Sequence, residues 1–370
     1  MLIKNIEDKS IVWFEDSNEY IVVEPIVSEI LNLVKNGTNR EEVINSIAEK
    51  TKIPKPTIAN LVDDVTSLIT TSNSNPKEIK KRHIKKPEIF YKTVFYKIND
   101  LIFKIDFATE YELYLVHPKF AHLEISSVNK YDHNFNVFND KNDTALIVDN
   151  EFIGLWSHDK VHYFQGKFSM KIVELIHQKT EDEWMGVFHA SAISNENEAM
   201  LFLGDSGNGK STSLALLQAG GFTCLADDFV PVAIKNKEVY SFPSAISIKK
   251  NSLETLLPIY PELKTSAEYN FKRLNKIVRY LPPQNSNYTK HLPCKNLVFI
   301  KYEKDSGLIC HKISNLNAFE QLVPDSWLSP IKENAKVFLD WFSELNFYQL
   351  TYSDNNQMIT TVSKIFDNEL

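Results

Sequence analysis

Apolar and polar positions near the amino terminus follow the pattern of a small mixed α/β unit. The stretch SIVWFEDSNEYIVVEP holds two runs of β-branched and aromatic residues around a polar turn, which predicts a pair of strands. Apolar residues then recur at helical spacing through residues 27–34, 43–47 and 58–69, which predicts three short amphipathic helices. We therefore expect residues 1–72 to form a winged-helix-like domain.

The pattern changes twice farther along the chain. Residues 73–88 are polar, carry six Lys and Arg and lack periodicity, which predicts a linker. Residues 89–186 contain strand patterns in EIFYKTVFYKI, LIFKIDF, ELYLVH, TALIVDNEFIGLWSH and KVHYFQG, before FSMKIVELIHQKTEDE predicts a helix. In residues 187–370 strands and helices alternate, beginning with a strand in VFHASAIS. We expect residues 89–370 to form one α/β domain.

Composition and charge argue against several classes of protein. The 370 residues allow two or three domains, and the net charge of -7 argues against a general role on nucleic acid or a membrane surface. Cys224, Cys294 and Cys310 show no metal-binding spacing and fit a reducing compartment. The amino terminus lacks a signal-peptide pattern, and no apolar run approaches the roughly 18 residues that span a bilayer. We expect a cytoplasmic protein that binds neither nucleic acid nor membrane.

Half of the 10 glycines lie between positions 204 and 221, around one lysine. The pattern G-x-x-x-x-G-K-[ST] begins at Gly204, after the buried-strand pattern AMLFL and before the helical pattern STSLALLQA. Glycines let backbone N–H groups surround phosphate oxygens, and the helix amino terminus adds a partial positive charge. The spacing predicts that Lys210 reaches the β- and γ-phosphates of a nucleotide and that Ser211 ligates Mg²⁺.

Two acids and a histidine flank this glycine-rich loop. The apolar run FTCLADD ends in Asp227 and Asp228, and the chain between Lys210 and this pair has room for only one short helix and a return strand. An acid at the end of a buried strand is the expected second metal ligand, and a neighbouring acid can accept a proton from an attacking hydroxyl. His189 lies in the strand pattern before the loop, and a structural role for it stays open beside a catalytic one.

Together these residues resemble the catalytic core of HPr kinase/phosphorylase and its related kinases. In that family a histidine-bearing strand precedes the phosphate loop, and a short helix and paired aspartates follow it, as in FHASAIS…FLGDSGNGKSTSLALLQAGGFTCLADD. The resemblance covers residues 90–365, is strongest over 187–232, and implies an HPr-kinase-like fold, ATP and Mg²⁺ as cofactors and an oligomer. It places nucleotide-binding residues at Gly204, Asp205, Ser206, Gly207, Asn208, Gly209, Lys210, Ser211 and Thr212.

The resemblance also implies roles for the flanking residues. It makes Ser211 and Asp227 the metal ligands and Asp228 the catalytic base, with the reverse assignment of the two aspartates open. His189 takes the place of the family histidine, and Lys210 acts on the transferred phosphate. Basic residues of FKRLNKIVRY, where related kinases carry charges near the phosphates, lie on a phosphate-facing or a solvated surface; they are Lys272, Arg273 and Arg279.

Two departures change the expected substrate. Thr212 stands where HPr kinases carry glutamate after the loop serine, and the run similar to GGNPVEVR that follows their catalytic core is absent. HPr is therefore not the expected acceptor, and the reverse phosphorylase reaction is not expected.

Residues 10–70 resemble a PqqD-like domain, the element that recognises leader peptides in pathways for ribosomally made, modified peptides (RiPP biosynthesis). The match is a strand, a helix, the helix cap GTNREE and two further helices. Such domains bind a peptide by strand addition, which would place a leader peptide beside residues 20–23 and the helix at residues 58–65. The leading hypothesis is therefore a kinase for a hydroxyl, most simply serine, of a precursor peptide recruited by residues 1–72.

Three other hypotheses remain open. The protein could phosphorylate a small molecule such as free serine, with residues 1–72 serving assembly alone. It could be a nucleotide-responsive DNA-binding regulator, although residues 1–70 carry 7 Lys and Arg against 12 Asp and Glu. It could also bind a nucleotide without chemistry, although Lys210, Ser211, Asp227 and Asp228 form a complete set.

Overall fold

The computed structural model describes residues 1–72, 84–271 and 276–370. The chain divides into two compact units: unit 1 comprises Met1–Lys81 and Ile313–Glu344, and unit 2 comprises Arg82–Lys312 and Leu345–Leu370. Most of the predicted linker, residues 73–83, lies outside the described residues, and residues 84–88 form neither helix nor strand. No helix among the described residues is long and apolar enough to cross a membrane.

The amino-terminal part of unit 1 contains the predicted hairpin and the three predicted helices. A first strand precedes the hairpin, so the sheet has three antiparallel strands in the order β1-β2-β3. Val12 and Phe14 point from β2 into an apolar core with the helices, where Ile30 and Val43 are also fully buried. The elements are β1 (Leu2–Ile6), β2 (Lys9–Phe14), β3 (Glu19–Val23), α1 (Pro25–Lys35), α2 (Arg40–Thr51) and α3 (Lys55–Ser72).

The first part of unit 2 is a six-stranded sheet with two helices. Its strand order is β6-β4-β5-β7-β8-β9, and all neighbouring pairs are antiparallel except β5 and β7. The elements are β4 (Lys92–Ile98), β5 (Leu101–Phe107), α4 (Glu110–Phe120), β6 (Glu124–Ile125), β7 (His133–Asp140), β8 (Asp143–Val148), β9 (Glu151–Ser157) and α5 (Val161–His177).

Two predicted strands in this region are wrong, because both sequences are helical. ELYLVH lies in α4, where the Thr109 hydroxyl accepts a hydrogen bond from the Tyr111 N–H and caps the helix. KVHYFQG runs into the first turns of α5, in which Phe164 and Phe168 are buried one helical turn apart on one face. The short apolar runs favoured strands in the sequence. Both segments are helical because of the cap at the start of α4 and the buried face of α5.

The second part of unit 2 holds the segment rich in glycine. The predicted single strand VFHASAIS is two strands, because the chain bends at His189 and Ala190 between them. The elements are β10 (Trp184–Phe188), β11 (Ser191–Ser194), β12 (Ala199–Leu203), α6 (Lys210–Ala219), β13 (Thr223–Asp227), β14 (Val230–Ala233), β15 (Glu238–Tyr240), β16 (Ile246–Lys249), α7 (Leu253–Leu256), β17 (Tyr269–Phe271), β18 (Lys276–Leu281), β19 (His291–Tyr302) and β20 (Leu308–Lys312).

The remaining elements complete both units. They are α8 (Asn315–Leu322), β21 (Trp327–Leu328) and α9 (Lys332–Ser343) in unit 1, then β22 (Asn346–Tyr352) and α10 (Asn355–Phe366) in unit 2. The large sheet of unit 2 has the strand order β13-β11-β12-β19-β15-β14-β10, with β22 between β19 and β20. A small sheet has the order β16-β18-β17. An apolar core of α6, α10 and strands β12, β19 and β22 lies beneath the loop that begins at Gly204.

Residues 313–344 were assigned by sequence to the same domain as the glycine-rich loop, and the structure groups them with the amino-terminal domain instead. The Tyr20 ring of β3 packs edge-on against Phe319 of α8 and Phe338 of α9, with centroids 6.1 and 5.5 Å away. Lys4 forms an ion pair with Asp340 at 2.7 Å. Helices α8 and α9 therefore cover the face of the three-stranded sheet opposite α1–α3. No local sequence pattern predicts this association, because the segments lie far apart in the chain.

Candidate functional site

The site forms where β12 and β13 end at the same edge of the large sheet. Strand β11 lies between them and is antiparallel to both, so β12 and β13 run in the same direction. In this register Ser191, the first residue of β11, lies opposite Asp227, the last residue of β13. The sheet thus brings together the glycine-rich loop after Leu203, the acidic pair and the bend at His189.

Close backbone approach explains Gly204, and left-handed backbone conformation explains Gly209. Gly204 has φ +142°, and a Cβ there would lie 2.7 Å from the Ile300 carbonyl oxygen on β19. Gly209 has φ +92° and caps the amino terminus of α6 in the left-handed conformation. The loop therefore holds its backbone against the sheet and turns directly into the helix, which leaves the first N–H groups of α6 facing the loop.

Lys210 and Ser211 occupy the junction between loop and helix. Lys210 is only 7% exposed, and its ammonium donates a hydrogen bond to the Gly204 carbonyl, so the side chain folds back across the loop. The Ser211 hydroxyl donates to the Asp227 carboxylate, with oxygen–oxygen distances of 3.0 and 3.1 Å. For these two residues the sequence predicts contacts with phosphate and metal.

Asp227 is buried and accepts several hydrogen bonds. Besides Ser211, the Ser191 hydroxyl donates to it at 2.7 Å and the Ser247 N–H at 3.0 Å. Burial, followed by the negative charge of Asp228, raises the pKa of Asp227, and these hydrogen bonds oppose that rise. A buried carboxylate beside a serine hydroxyl is an oxygen-only pair of the kind that Mg²⁺ accepts.

The carboxylate–hydroxyl pair fits a metal that is also held by nucleotide oxygens. Among the described residues, no group of three or more His, Cys, Asp or Glu side chains is placed to hold a metal ion. Magnesium commonly takes one or two protein ligands and completes its octahedron with water and phosphate oxygens. Ser211 and Asp227 therefore suit such an ion and do not form a complete protein cage.

Asp228 has a different environment from its neighbour. Its backbone lies in the left-handed region at φ +61°, which is uncommon outside glycine. Burial alone would raise the pKa of Asp228, but the positive charges of Lys119, Lys276, His189 and Lys210 hold it below its ordinary value. Asp228 is therefore held ionised among cations, and its oxygens can accept hydrogen bonds.

A cavity of about 170 Å³ lies over the loop and borders most of the predicted nucleotide-binding residues. Gly204 and Asn208 do not line it: their carbonyls accept hydrogen bonds from Lys210 and from the Tyr302 N–H, which makes them supports of the loop. Five residues that the sequence analysis did not select also border it, namely Ser247, Lys249, Asn251, Ser252 and Lys276. The predicted residues that line it are Asp205, Ser206, Gly207, Gly209, Lys210, Ser211, Thr212, Asp228 and His189.

The basic side chains around the cavity differ from those predicted. Lys272 and Arg273 lie outside the described residues. Arg279 does not border the cavity, because its guanidinium donates to the carbonyls of Leu263 and Ser266 and pairs with Glu268.

Two lysines supply the charge instead. Lys249, at the end of β16, donates to the Ser206 hydroxyl at 2.8 Å, and Lys276 begins β18. Lysine at the end of an apolar run, as in SISIKK, is the only local signal for Lys249, and it does not separate a site from a solvated strand end.

Comparisons with known proteins add one weak likeness. No protein-family model matches the chain, and no curated protein matches it. Thirty solved chains match, among them the Hpr(Ser) kinase/phosphatase from Coxiella burnetii, at 10% sequence identity and a TM-score of 0.26, over 50% of this chain and 92% of that chain. What the fold and site themselves define is a mixed α/β protein with a strand–glycine loop–helix element that faces a pair of aspartates.

Proposed function

We propose that the protein is an ATP- and Mg²⁺-dependent kinase that phosphorylates a hydroxyl of a peptide, with serine as the simplest acceptor. One observation carries the proposal: the Ser211 hydroxyl lies on the Asp227 carboxylate at 3.0 Å, beside Lys210 at the start of α6, while Asp228 borders the same cavity. Phosphate-loop kinases use a loop lysine, a serine–acid metal pair and a second group near the acceptor.

The loop and its cations account for binding of the nucleotide phosphates. The N–H groups of the loop and of the first turn of α6 can donate to the β- and γ-phosphates. Lys210 would exchange its contact with the Gly204 carbonyl for phosphate oxygens. Lys249 and Lys276 on the cavity wall offset further negative charge.

Ser211 and Asp227 would hold the magnesium ion. Bound there, the ion would neutralise charge on the β- and γ-phosphate oxygens. The hydrogen bonds from Ser191 and Ser247 keep the Asp227 carboxylate oriented toward Ser211.

Asp228 is the proposed base. The oxygen of the acceptor hydroxyl forms a bond to the γ-phosphorus while the bond from that phosphorus to the bridging oxygen breaks, and ADP leaves. The hydroxyl proton passes to the Asp228 carboxylate. His189, which borders the cavity beside Asp228, would orient the acceptor or a phosphate oxygen.

Unit 1 supports peptide recruitment through a sheet edge. Within the described residues, β3 is hydrogen-bonded to β2 alone, so one edge of Glu19–Val23 presents backbone groups to which an extended peptide can add. The nearby apolar helix α3 contributes Ile58 and Val62 to the unit core. A leader segment of a precursor peptide is the proposed partner of this edge.

The central test is phosphorylation of a candidate precursor peptide with Mg-ATP, read as a phosphate mass shift. We expect transfer to the peptide and none when Mg²⁺ is chelated. Excess leader segment added in trans should raise KM for the peptide and leave KM for ATP unchanged, while a scrambled leader should do neither. Deletion of residues 1–72 is a poorer test, because it would uncover Phe319 and Phe338, which pack on Tyr20. Equal turnover of free serine and peptide would contradict the peptide assignment.

A further inference from the structure

A second cavity of unit 2, of about 220 Å³, shares two walls with the cavity over the loop. His189 and Asp228 border both. The rest of the second cavity lies between α4 and α5. Its lining combines apolar side chains, among them Leu115, Phe120, Phe168 and Phe242, with the polar side chains of Lys119, His162, Gln165 and Ser169. A group bound here would therefore reach the proposed base from a cavity other than the one over the phosphate loop.

Ring contacts fix the shape of the apolar wall. Phe120 packs against Phe168 and Phe242, with centroids 5.9 and 5.8 Å away, and Phe229 packs against Phe242 at 4.6 Å. Phe120 and Phe168 are almost fully buried. Because these rings hold one another in place, the cavity is a formed pocket bounded by packed side chains.

A glycine in the middle of α5 opens this pocket. Gly166 lines the cavity, and a Cβ built on it would meet no atom within 4 Å. Glycine inside a helix costs about 1 kcal/mol relative to alanine, and neither crowding nor a positive φ requires glycine here. The missing side chain is explained if the space in front of it is occupied by a ligand.

We propose that this second cavity is the acceptor subsite, which binds a large apolar side chain of the peptide residue next to the hydroxyl that is phosphorylated. The inference rests on the kinase function proposed above and names the class of acceptor. The pocket is far larger than the hydroxymethyl group of serine, so free serine would leave most of its volume empty. A leucine or phenylalanine beside the acceptor would fill this volume while the hydroxyl lies at Asp228.

The first arm of the test uses the full-length wild-type protein with Mg²⁺ and a non-hydrolysable ATP analogue. The probes are two heptapeptides with one central serine, flanked on both sides by leucine in one and by aspartate in the other. We expect the leucine peptide to bind roughly 10-fold or more tightly than the aspartate peptide. Equal affinity, or no measurable binding of either peptide, would overturn the inference.

The second arm fills the pocket. Gly166→Leu should weaken binding of the leucine peptide by roughly 10- to 100-fold, and Gly166→Ala by less, because the loss follows the volume added. Tyr163→Leu is the matched control on the same helix: Tyr163 is 60% exposed, does not line the cavity, and its replacement should leave the preference unchanged. Unaltered peptide affinity in folded Gly166→Leu protein would contradict the proposal.

A measurement of nucleotide binding distinguishes failure of the acceptor-subsite proposal from failure of the proposed kinase function. Binding of Mg-ATP to the wild-type protein without any peptide preference would refute the acceptor subsite alone. Absence of Mg-ATP binding would refute the kinase assignment itself. Both Gly166 variants introduce better helix formers, and thermal unfolding checks that they fold; if one does not, the wild-type peptide pair still decides.

Discussion

The two cavities that meet at Asp228 and His189 are built in opposite ways. Half of the residues that line the cavity over the loop belong to one continuous segment, residues 205–212, and the chemistry of this cavity is polar and cationic. The second cavity takes its lining from α4, α5, the bend at His189 and the segments after β13 and β15, and its walls combine aromatic and aliphatic side chains with polar ones. The first, which is the proposed phosphate site, depends in large part on one local segment, whereas the second exists only after distant elements have packed.

This difference suggests separate roles for the two cavities. The loop cavity would bind the nucleotide phosphates, and the second cavity would select the acceptor. Phosphate groups are common to all nucleotides, so a short loop with fixed backbone N–H groups is sufficient for them. Selection of an acceptor needs a shaped surface, and shape comes from packed side chains of several elements. The following predictions test this assignment of phosphate binding and acceptor selection to the two cavities, beginning with the largest expected effect.

Replacing Lys210 by methionine should remove the function of the loop cavity. Lys210→Met keeps an unbranched apolar stem but loses the charge that faces the phosphates, so we expect phosphoryl transfer to fall roughly 1,000-fold or more. Transfer is measured by the phosphate mass shift of the peptide over time. The melting temperature serves as the control for folding, and a folded variant with wild-type turnover would exclude the phosphate role.

The two aspartates should respond differently to the loss of one charge. Asp228→Asn should lower kcat by roughly 100- to 10,000-fold with little change in the affinity for Mg-ATP, because it removes the proton acceptor. Asp227→Asn should instead raise the Mg²⁺ concentration needed for half-maximal turnover. Titrations of Mg²⁺ with each variant distinguish the two, and an exchanged pair of phenotypes would reverse the assignments. An undiminished transfer rate in Asp228→Asn would refute the base role.

Close backbone approach at the loop should be measurable as stability. Gly204→Ala places a Cβ 2.7 Å from the Ile300 carbonyl oxygen at φ +142°, so we expect a loss of about 1–3 kcal/mol in the free energy of unfolding. Gly207→Ala is the matched control, since Gly207 also has positive φ, +108°, but a Cβ there meets no atom within 4 Å. Denaturant unfolding compares the pair. Equal losses would mean that backbone conformation alone, and not contact with β19, constrains Gly204.

The smallest predicted effect lies at the boundary between the cavities. Lys119 lines the second cavity and is the leading positive charge that lowers the pKa of Asp228. A base with a lowered pKa stays ionised until the pH falls through that pKa, so kcat/KM should decline only on the acid side. Lys119→Met should raise the pKa of Asp228 and move the acid limb to higher pH, so that the loss relative to the wild type grows as the pH falls, with little change at about pH 8. A pH profile with an unmoved acid limb would show that Lys119 does not act on the base.

Unit 1 and unit 2 also differ in how well local sequence patterns predicted their helices and strands. The hairpin and α1–α3 could be predicted, because their apolar residues recur at strand or helical spacing and Gly37 ends α1. ELYLVH and KVHYFQG were predicted as strands and are helical, because short apolar runs have no unique period and tertiary burial decides between strand and helix. The pairing of Tyr20 with Phe319 and Phe338 had no local signal at all.

The candidate site shows the same limit. The loop glycines, Lys210, Ser211 and the acidic pair could be found because their roles depend on spacing within one short stretch of chain. Lys249, Lys276 and Lys119 were missed, and Arg279, for which a phosphate-facing and a solvated position were both considered, instead donates to carbonyls of its own unit. The local sequence around a lysine or arginine on a surface strand does not show whether its charge faces the site or the solvent. Only the fold determines which charges face the site.

By itself the sequence determined the strand–loop–helix order, the glycines that allow close backbone approach and the adjacency of Asp227 and Asp228. These features are local, because backbone conformation and helix termini depend on residues a few positions apart. The tertiary structure alone decided that β11 lies between β12 and β13, that Asp227 and Asp228 have opposite pKa shifts, and that α4 and α5 form a pocket behind Asp228. Burial and electrostatic environment arise from elements far apart in the chain, so no short stretch of sequence contains them.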